Sequence, residues 1–376
     1  MPETEKNRRG FLKAAGAASA AALVAACDGQ SDTSAAAPAV AKRRAKNLKM
    51  VTTWPKNFPG LGVSAERLAK RISEATDGAI RIKVYAGGEL VPPFGAFDAV
   101  SQGKADIYNG AEYYWQGKSK AFNFFASVPF GMTASELAAW VYHMGGQELW
   151  DELAGGFNIK PFLLGNTGVQ MGGWFRSEIT SLEDFKGLRM RIPGLGGEVI
   201  KRLGATPVTK AGGEIFLALS QGNIDATEWV GPWNDLSFGF HEIAKYYYYP
   251  GFHETGTAAS VGFNTDVWNS FSKSDQAIIQ NAILAESDFV TAEFNAQNAR
   301  ALDTLINKHG VQLRRFSDEI LTEIGRVAAE VLAETAAEDE LTGRVYESFV
   351  AARTSTSRWG EIGEQAFREA RALLKA

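Results

Sequence analysis

Cysteine and histidine are scarce in this chain. Of its 376 residues only Cys27 is a cysteine, so no internal disulfide can support the fold. The four histidines, His143, His241, His253 and His309, are scattered at no spacing that is typical of a metal site. The formal net charge of −4 provides no basic surface for nucleic acid, so we predict no nucleic-acid partner.

The chain also lacks a long apolar run near its N-terminus. The apolar stretch at residues 14–26 is rich in alanine and shorter than the about 20 residues that a membrane-spanning helix needs. It follows Arg8-Arg9-Gly10-Phe11-Leu12-Lys13, which resembles a twin-arginine export motif. We therefore predict that residues 1–26 are an export signal and that the mature chain is periplasmic. A general secretory signal that happens to contain two arginines is the alternative.

The single cysteine has a distinctive position. It ends the sequence Leu23-Val24-Ala25-Ala26-Cys27, which resembles a lipobox, where the signal is cut and the thiol is acylated. We predict that Cys27 carries a lipid anchor and that residues 27–46, which contain few large apolar side chains, form a flexible tether. The alternative is cleavage at Ala39-Val40-Ala41, which would leave the protein free of lipid.

The rest of the chain has an ordinary globular composition. Hydrophobic residues make up 45% and charged residues 22%, and the length allows two domains. Residues 61–75 place apolar side chains at helical spacing, whereas residues 80–85 alternate between apolar and polar as a strand does. Thr133-Ala134-Ser135-Glu136 fits a capping box, which predicts a single helix from there to about Leu153. A second alternation of strands and helices follows residue 188, and strands are predicted at residues 169–175 and 226–230. This pattern predicts two α/β lobes.

The C-terminal third is helical in pattern. Ser272-Lys273-Ser274-Asp275 predicts the start of a helix that reaches about Lys308, which is long enough to lie across both lobes. Helical spacing resumes at Asp318, with interruptions predicted at Gly343 and at residues 354–357. The predicted fold class is therefore a two-lobed α/β protein with one long helix that spans the lobes and a helical C-terminal extension.

Four short segments carry a family signature. They are Gly87-Gly88-Glu89-Leu90, Lys104-Ala105-Asp106-Ile107, Gly187-Leu188-Arg189-Met190-Arg191-Ile192-Pro193 and Gly222-Asn223-Ile224-Asp225-Ala226-Thr227-Glu228. Together they resemble the extracytoplasmic solute-binding subunit of tripartite ATP-independent periplasmic (TRAP) transporters, from about Lys49 to the C-terminus.

Three further segments resemble one branch of that family more closely. Residues 110–115 read Gly-Ala-Glu-Tyr-Tyr-Trp, residues 166–174 read Asn-Thr-Gly-Val-Gln-Met-Gly-Gly-Trp, and residues 228–233 read Glu-Trp-Val-Gly-Pro-Trp. These are similar to the branch that binds 2-oxoacids and lactate-type acids with a metal ion. The resemblance implies a receptor that captures a pyruvate-like 2-oxo monocarboxylate and delivers it to a membrane permease.

The resemblance also implies a clamshell fold whose lobes close on an organic anion. We assign residues 47–168 and 256–285 to lobe I, and residues 169–255 and 286–330 to lobe II. We assign residues 331–376 to a C-terminal helical region. Its part from Val345 to Leu374 is similar to C-terminal helices that exchange between protomers in this branch, which predicts a homodimer.

Arg191 is the first candidate for binding the acid. A carboxylate is recognised best by a planar guanidinium that donates two parallel hydrogen bonds. The family places such an arginine in the strand that ends at Arg-x-Pro, which is Arg191 in this chain. Arg189 lies two residues earlier on the same strand face and nearer the strand start.

The resemblance also implies a cation site. Its ligands would be the Gln170 side-chain oxygen, the Glu228 carboxylate and the Trp229 backbone carbonyl, with Glu254 as a further ligand. Such hard oxygen ligands suit Na⁺ or Ca²⁺ rather than zinc. Arg191 and Na⁺ would balance Glu228 and the bound carboxylate, so charge favours Na⁺ if Glu254 stays out of the site. The alternative is Ca²⁺.

Weaker candidates surround these residues. Tyr113, Tyr114, Trp115 and Asn166 could contact the acid, and Gln170 is expected to contact both acid and cation; each could instead belong to the core. A receptor for lactate or another 2-hydroxyacid that uses Ca²⁺ is the nearest alternative function. An exported enzyme and a tethered sensor subunit are alternatives of other classes, although the sequence offers no nucleophile with a base.

Overall fold

The structure of the protein is a computed structural model that describes residues 45–374. The predicted export signal, Cys27 and almost all of the predicted tether lie outside the described residues. The first strand begins at Lys46, which pairs with Ile80, so the lobe starts one residue earlier than predicted.

Eleven strands occur in the part of the chain that the structure describes. They are β1 (Lys46–Thr52), β2 (Ile80–Tyr85), β3 (Ile107–Gly110), β4 (Ile159–Asn166), β5 (Gly173–Phe175), β6 (Arg189–Arg191), β7 (Thr206–Val208), β8 (Ala226–Thr227), β9 (Tyr246–Tyr249), β10 (Ala258–Asn264) and β11 (Gln312–Arg315).

The helices alternate with these strands until the C-terminal third. They are α1 (Leu61–Ala75), α2 (Ala96–Ser101), α3 (Ala134–His143), α4 (Gly146–Gly155), α5 (Gly194–Arg202), α6 (Gly212–Ser220), α7 (Pro232–Phe238), α8 (Thr265–Asn269), α9 (Lys273–Asn307), α10 (Asp318–Ala336), α11 (Glu340–Gly360) and α12 (Ala366–Ala372). Short 3₁₀ helices occupy Pro93–Gly95, Glu112–Trp115, Lys120–Phe125, Leu182–Phe185 and Phe240–Glu242, and a π-helical turn at Glu361–Gln365 joins α11 to α12.

Two mixed sheets define the two lobes. The sheet of lobe I has the order β2-β1-β3-β10-β4, with β1 parallel to β2 and β3, and β10 antiparallel to β3 and β4. The sheet of lobe II has the order β11-β9-β5-β8-β6-β7, in which β5 runs antiparallel to β8 and β9. The predicted α/β clamshell fold class is confirmed.

Local sequence accounts for several elements. Helix α1 has the predicted bounds, and Leu68 and Ile72 on its apolar face are completely buried. The capping box at the start of α3 forms as predicted, because the Thr133 backbone N–H donates to the Glu136 carboxylate over 2.7 Å. Such a box satisfies backbone donors that the first helical turn leaves without partners.

The chain crosses between the sheets at three places. It leaves lobe I after β4, returns after β9 to form β10, and crosses again along α9. Helix α9 packs against β4 and α1 on one side and against α7 on the other, so the predicted long helix does span the lobes.

The structure corrects several predicted boundaries. The single helix expected after Thr133 divides into α3 and α4 at Gly145, whose φ of 87° favours glycine. The strands predicted at residues 169–175 and 226–230 are much shorter, since residues 169–172 and 228–231 form loops. The interruptions predicted at Gly343 and residues 354–357 are also wrong.

The C-terminal helices divide elsewhere. Helix α10 ends at Ala336, and Asp339 caps α11 by accepting the backbone N–H of Thr342 over 2.8 Å. The predicted domain boundary at residue 331 therefore falls inside α10. Helix α10 packs on α5 of lobe II, whereas α11 packs on α3 and α4 of lobe I, so this region also contacts both lobes. Within residues 45–374, no helix is long and apolar enough to cross a bilayer.

Candidate functional site

Loops of lobe II meet the segments that cross between the lobes at a buried cluster of polar side chains. The loop between β4 and β5 supplies Gln170, the end of β6 supplies Arg191, the loop after β8 supplies Glu228, and the segment after β9 supplies His253 and Glu254. All five side chains are buried, with relative exposures of 3% or less. Buried charges are costly unless they are paired or bind a ligand, so this cluster is the candidate site.

Arg191 makes most of its hydrogen bonds within lobe II. Its Nε donates to the Lys210 carbonyl over 3.1 Å, and its Nη1 donates to the Glu228 carboxylate and, over 3.3 Å, to the Glu228 carbonyl. The guanidinium also lies 5.0 Å from the Trp229 ring centroid, a cation–π contact. Its Nη2 is buried without a hydrogen-bond partner among the described residues. The Nη2 edge of the guanidinium is therefore available to donate to an anion.

Gln170 has an unsatisfied acceptor, whereas Arg191 has an unsatisfied donor. Its Nε2 donates to the Thr167 hydroxyl over 3.0 Å and to the Thr257 hydroxyl over 2.6 Å. Because both donor positions are used, the amide orientation is fixed and Oε1 points away from these threonines. Oε1 is buried and accepts no hydrogen bond among the described residues. A buried acceptor without a donor is costly in a folded protein, and a cation would satisfy it.

Acidic groups crowd this cluster. One ligand atom each from Glu228, His253 and Glu254 lies within 4.8 Å of the others. His253 Nε2 lies 3.2 Å from Glu228 Oε2, and the Thr257 hydroxyl donates to the Glu254 carboxylate. Burial, with the negative charge of Glu228, raises the pKa of Glu254 to about 7, against the opposing effects of His253, Thr257 and Arg191. The site therefore carries more acid than its single arginine can balance.

His253 was missed in the sequence. The sequence spacing of the four histidines gives no ligand motif, yet the return of the chain after β9 brings this one against Glu228. The only signal was its position directly before Glu254. The spacing of the histidines in the sequence therefore says nothing about which of them lies beside the acidic cluster.

The predicted aromatic contacts divide into two groups. Tyr113 and Tyr114 lie beside the cluster: the Tyr113 hydroxyl is 3.5 Å from that of Thr257, and burial raises the pKa of Tyr114 to about 12 against the opposing charge of Arg191. Trp115 instead packs in the core of lobe I, where its Nε1 donates to the Phe94 carbonyl over 2.9 Å. These contacts favour the alternative in which Trp115 belongs to the core rather than to the site.

Two other predicted residues have defined positions. The Asn166 Oδ1 accepts the Gly168 N–H over 2.9 Å and its Nδ2 donates to the Gly256 carbonyl over 3.5 Å, so this side chain joins the two segments that cross between the lobes. Arg189 lies outside the cluster, where it forms an exposed two-point pair with Asp225. Of the two strand arginines, only Arg191 reaches the site.

Aromatic rings from both lobes close over the site. The Trp229 ring meets the Trp54 ring of lobe I edge-on, with centroids 6.2 Å apart. A small cavity beside them is lined by Trp54, Leu61, Tyr113, Tyr114, Thr167, Trp229, Val230 and Thr257. The Trp229 backbone carbonyl accepts no hydrogen bond from the described residues. It is therefore free to bind a cation, as is the Gln170 side-chain oxygen.

Comparison with known proteins agrees with this geometry. Residues 50–339 match the model of the bacterial extracellular solute-binding protein family 7. The chain belongs to this family. The prediction of a TRAP solute-binding receptor with a periplasmic location is thereby confirmed, and the family is one of transport receptors rather than enzymes.

Individual relatives of this family 7 receptor are informative. A monocarboxylate 2-oxoacid-binding periplasmic protein of Nostoc sp. is 39% identical over 360 residues, 96% of this chain and 97% of that protein. A TRAP solute-binding protein from Pseudoalteromonas atlantica, solved with bound sodium and pyruvate, matches with a TM-score of 0.84 and 38% identity over 87% of this chain and 99% of its own.

A second solved structure differs in its ligand. The TRAP solute-binding protein from Bordetella bronchiseptica matches with a TM-score of 0.86 and 33% identity over 88% of this chain and 98% of its own. It is described as a mixed-occupancy dimer with calcium and picolinate in one site and an apo second site.

Proposed function

We propose that this receptor binds a 2-oxo monocarboxylate of the pyruvate type together with a cation and delivers it to the membrane permease of a TRAP transporter. The cluster leaves three buried atoms without a hydrogen-bond partner among the described residues, one of which is His253 Nδ1. The observation that carries the proposal is the other two, Arg191 Nη2 as a donor and Gln170 Oε1 as an acceptor. An anion and a cation bound side by side would satisfy both. The ligands of the Nostoc and Pseudoalteromonas proteins support the same class.

The donor set supports a hard cation. Gln170 Oε1, the Trp229 carbonyl and the carboxylates of Glu228 and Glu254 are all oxygen donors, as Na⁺ and Ca²⁺ prefer. The cation would supply a positive charge that holds a carboxylate oxygen and the neighbouring 2-oxo oxygen together. Which ion balances the site depends on Glu254: neutral Glu254 suits Na⁺, and ionised Glu254 suits Ca²⁺. A 2-hydroxyacid with Ca²⁺ therefore remains the second candidate.

The test is a charge-conserving substitution at Arg191. Arg191→Lys keeps the positive charge beside Glu228 but removes the planar fork that would hold the acid. We expect the Kd for pyruvate, measured by calorimetry in sodium buffer, to rise on the order of a hundredfold, about 2.7 kcal/mol. The matched control is Arg189→Lys, which alters the same strand two residues earlier and should leave Kd unchanged.

Two results would contradict this proposal. Wild-type affinity in Arg191→Lys would exclude this guanidinium as the anion site. No heat of binding for pyruvate or lactate in the wild type, in sodium or calcium, would exclude both acid classes. Recovery of unaltered pyruvate after long incubation would support a receptor over the exported-enzyme alternative.

We also propose that the receptor is a homodimer formed through its C-terminal helices. Trp359, Ile362 and Phe367 are 65% exposed or more, an unusual density of exposed apolar side chains along the segment from the end of α11 through the π-helical turn into α12. The dimeric Bordetella protein gives further support. Light scattering should give a dimer mass for the wild type and a monomer mass for Ile362→Asp. The control Leu217→Asp alters a leucine that is 58% exposed on α6, and it should stay dimeric.

The proposed anchor concerns the N-terminus. The lipobox-like Leu23-Val24-Ala25-Ala26-Cys27 supports acylation of Cys27, and Arg8-Arg9 supports export by the twin-arginine route. The mass of the mature N-terminus measures this directly: an acylated Cys27 is expected as the first residue, and a first residue after Ala41 would contradict the anchor.

A further inference from the structure

A second buried carboxylate lies behind the candidate site. Asp235 on α7 is 1% exposed, and its two oxygens accept three hydrogen bonds. Oδ2 accepts the Trp174 Nε1–H over 3.0 Å and the Tyr247 O–H over 2.7 Å. Oδ1 accepts the backbone N–H of Val230 over 3.2 Å. The carboxylate thus joins the loop after β8 to two strands of the lobe II sheet.

The strands that hold Asp235 form a firm support. Trp174 on β5 and Tyr247 on β9 are paired across the sheet, and their rings stack with centroids 4.0 Å apart. Both side chains are fully buried. Because Asp235 is fixed by two rigid donors, the third hydrogen bond fixes the position of the Val230 peptide.

The Val230 residue is the link to the site. Its N–H points to Asp235, while its carbonyl accepts the N–H of Met171 over 3.1 Å. Val230 directly follows Trp229, and Met171 directly follows Gln170. One residue therefore sets the distance between the two loops that carry the Trp229 carbonyl and the Gln170 side-chain oxygen.

We propose that Asp235 is a positioning residue for the cation, acting through the Val230 backbone on the two ligand loops. The inference rests on the proposed cation site. A carboxylate is required because three donors converge on two oxygens. An asparagine would present an N–H₂ group to at least one donor, so one of the three hydrogen bonds must break. Loss of the Val230 bond would let the Trp229 carbonyl move relative to Gln170.

The test separates cation binding from acid binding. Pyruvate affinity of Asp235→Asn and of the wild type is titrated by calorimetry in choline chloride and at increasing Na⁺ or Ca²⁺. Residues that orient metal ligands typically affect metal affinity about 10–100-fold. We expect the half-saturating cation concentration to rise by about that factor, while pyruvate affinity in choline alone stays within about twofold, because Arg191 is untouched.

The matched control is Glu112→Gln. Glu112 is likewise completely buried and bonded to a tyrosine, with 2.6 Å between Tyr108 Oη and its Oε1, but it lies in lobe I and contacts neither ligand loop. Its substitution should change stability without changing the half-saturating cation concentration. A purely structural role for Asp235 predicts that both variants behave alike, or that affinity in choline falls equally.

Tyr247→Phe covers the case in which Asp235→Asn does not fold. It removes the 2.7 Å bond that holds Asp235 and should weaken the cation response in the same direction but less. A wild-type cation response in either folded variant would overturn the inference alone. A wild type whose pyruvate affinity is the same in choline, Na⁺ and Ca²⁺ would instead overturn the cation part of the proposed function, and this inference with it.

Discussion

Two buried arginine–glutamate networks in this molecule serve different ends. Between α1 and α9, Glu286 is fully buried and pairs with Arg67 over 2.9 Å and Arg71 over 3.0 Å. In the candidate site, Glu228 is equally buried and pairs with Arg191 and His253. The two glutamates have the same burial and similar partners, so what differs is how completely their networks are satisfied.

The Glu286 network is complete. Each oxygen of Glu286 accepts an arginine donor, Arg67 also reaches Glu293, and both arginines are partly exposed to water. The Glu228 network leaves an arginine donor and a glutamine acceptor unpaired and adds a second carboxylate, Glu254. A complete network holds α9 to α1. The incomplete Glu228 network has unsatisfied polar atoms that an anion and a cation could bind.

The same substitution in both networks tests this difference and has the largest expected effect. Glu228→Gln should weaken cation-dependent pyruvate binding by at least about a hundredfold, since it removes an anionic ligand. It should lower the unfolding free energy less than Glu286→Gln does, because Glu254 remains in the cluster as a second acidic group close enough to interact with the Arg191 charge. Glu286→Gln should leave pyruvate affinity unchanged and lower the unfolding free energy by roughly 3 kcal/mol.

Calorimetry and denaturant unfolding of the ligand-free proteins provide both readouts. If Glu286→Gln lost affinity and Glu228→Gln lost stability, the assignment of ligand binding to the Glu228 network and of structural support to the Glu286 network would be wrong. Equal loss of stability in both would show that the Glu228 network supports the fold as much as the Glu286 network does.

Much of the fold could be predicted because its signals are local. Apolar spacing gave the bounds of α1, and alternation gave those of β2. The capping residues before α3 and α9 could also be predicted. Thr133 forms a capping box with Glu136, and the Ser272 side chain accepts the backbone N–H of Asp275. The strands predicted at residues 169–175 and 226–230 were too long because residues 169–172 and 228–231 form loops, joined to each other by the bond from the Met171 N–H to the Val230 carbonyl rather than by strand pairing.

The site was harder to predict because its members meet only in three dimensions. Arg191, Gln170 and Glu228 were found by motif resemblance, and the structure brings them together. No sequence motif marked His253 or Asp235. His253 meets Glu228 only because the chain crosses back after β9, and Asp235 is held by Trp174 on β5 and Tyr247 on β9. For Trp115 the structure favours the core-packing alternative, because adjacent aromatic residues in the 3₁₀ turn at Glu112–Trp115 face different ways.

Glu112 provides a third kind of buried carboxylate and the smallest expected effect. One oxygen accepts the Tyr108 hydroxyl and the other has no partner among the described residues, with no arginine to hold its charge. Burial therefore raises its pKa to about 7 from an ordinary value of 4.5, although Tyr108 and Ser260 oppose the shift. This carboxyl, unlike that of Glu286, has no arginine within hydrogen-bond distance among the described residues.

The raised pKa has a definite sign in stability. Between pH 4.5 and 7 the folded chain keeps a proton on Glu112 that the unfolded chain has lost, so the contribution of Glu112 to stability falls as pH rises through this range and stays low above it. Glutamine does not titrate. The unfolding free energy of the wild type minus that of Glu112→Gln should therefore fall between pH 5 and pH 8, by roughly 1–3 kcal/mol.

Denaturant unfolding of both ligand-free proteins at pH 5, 6.5 and 8 measures this difference. Glu254 and Asp235, whose pKa values burial also raises to about 7, titrate in both proteins and cancel in the subtraction. Parallel curves would mean that Glu112 keeps an ordinary pKa and that a single tyrosine is partner enough for a buried charge. A falling difference would show that burial raises the pKa of a carboxyl that faces a tyrosine and no arginine, which is the condition that distinguishes Glu112 from Glu228 and Glu286, each of which is paired with an arginine.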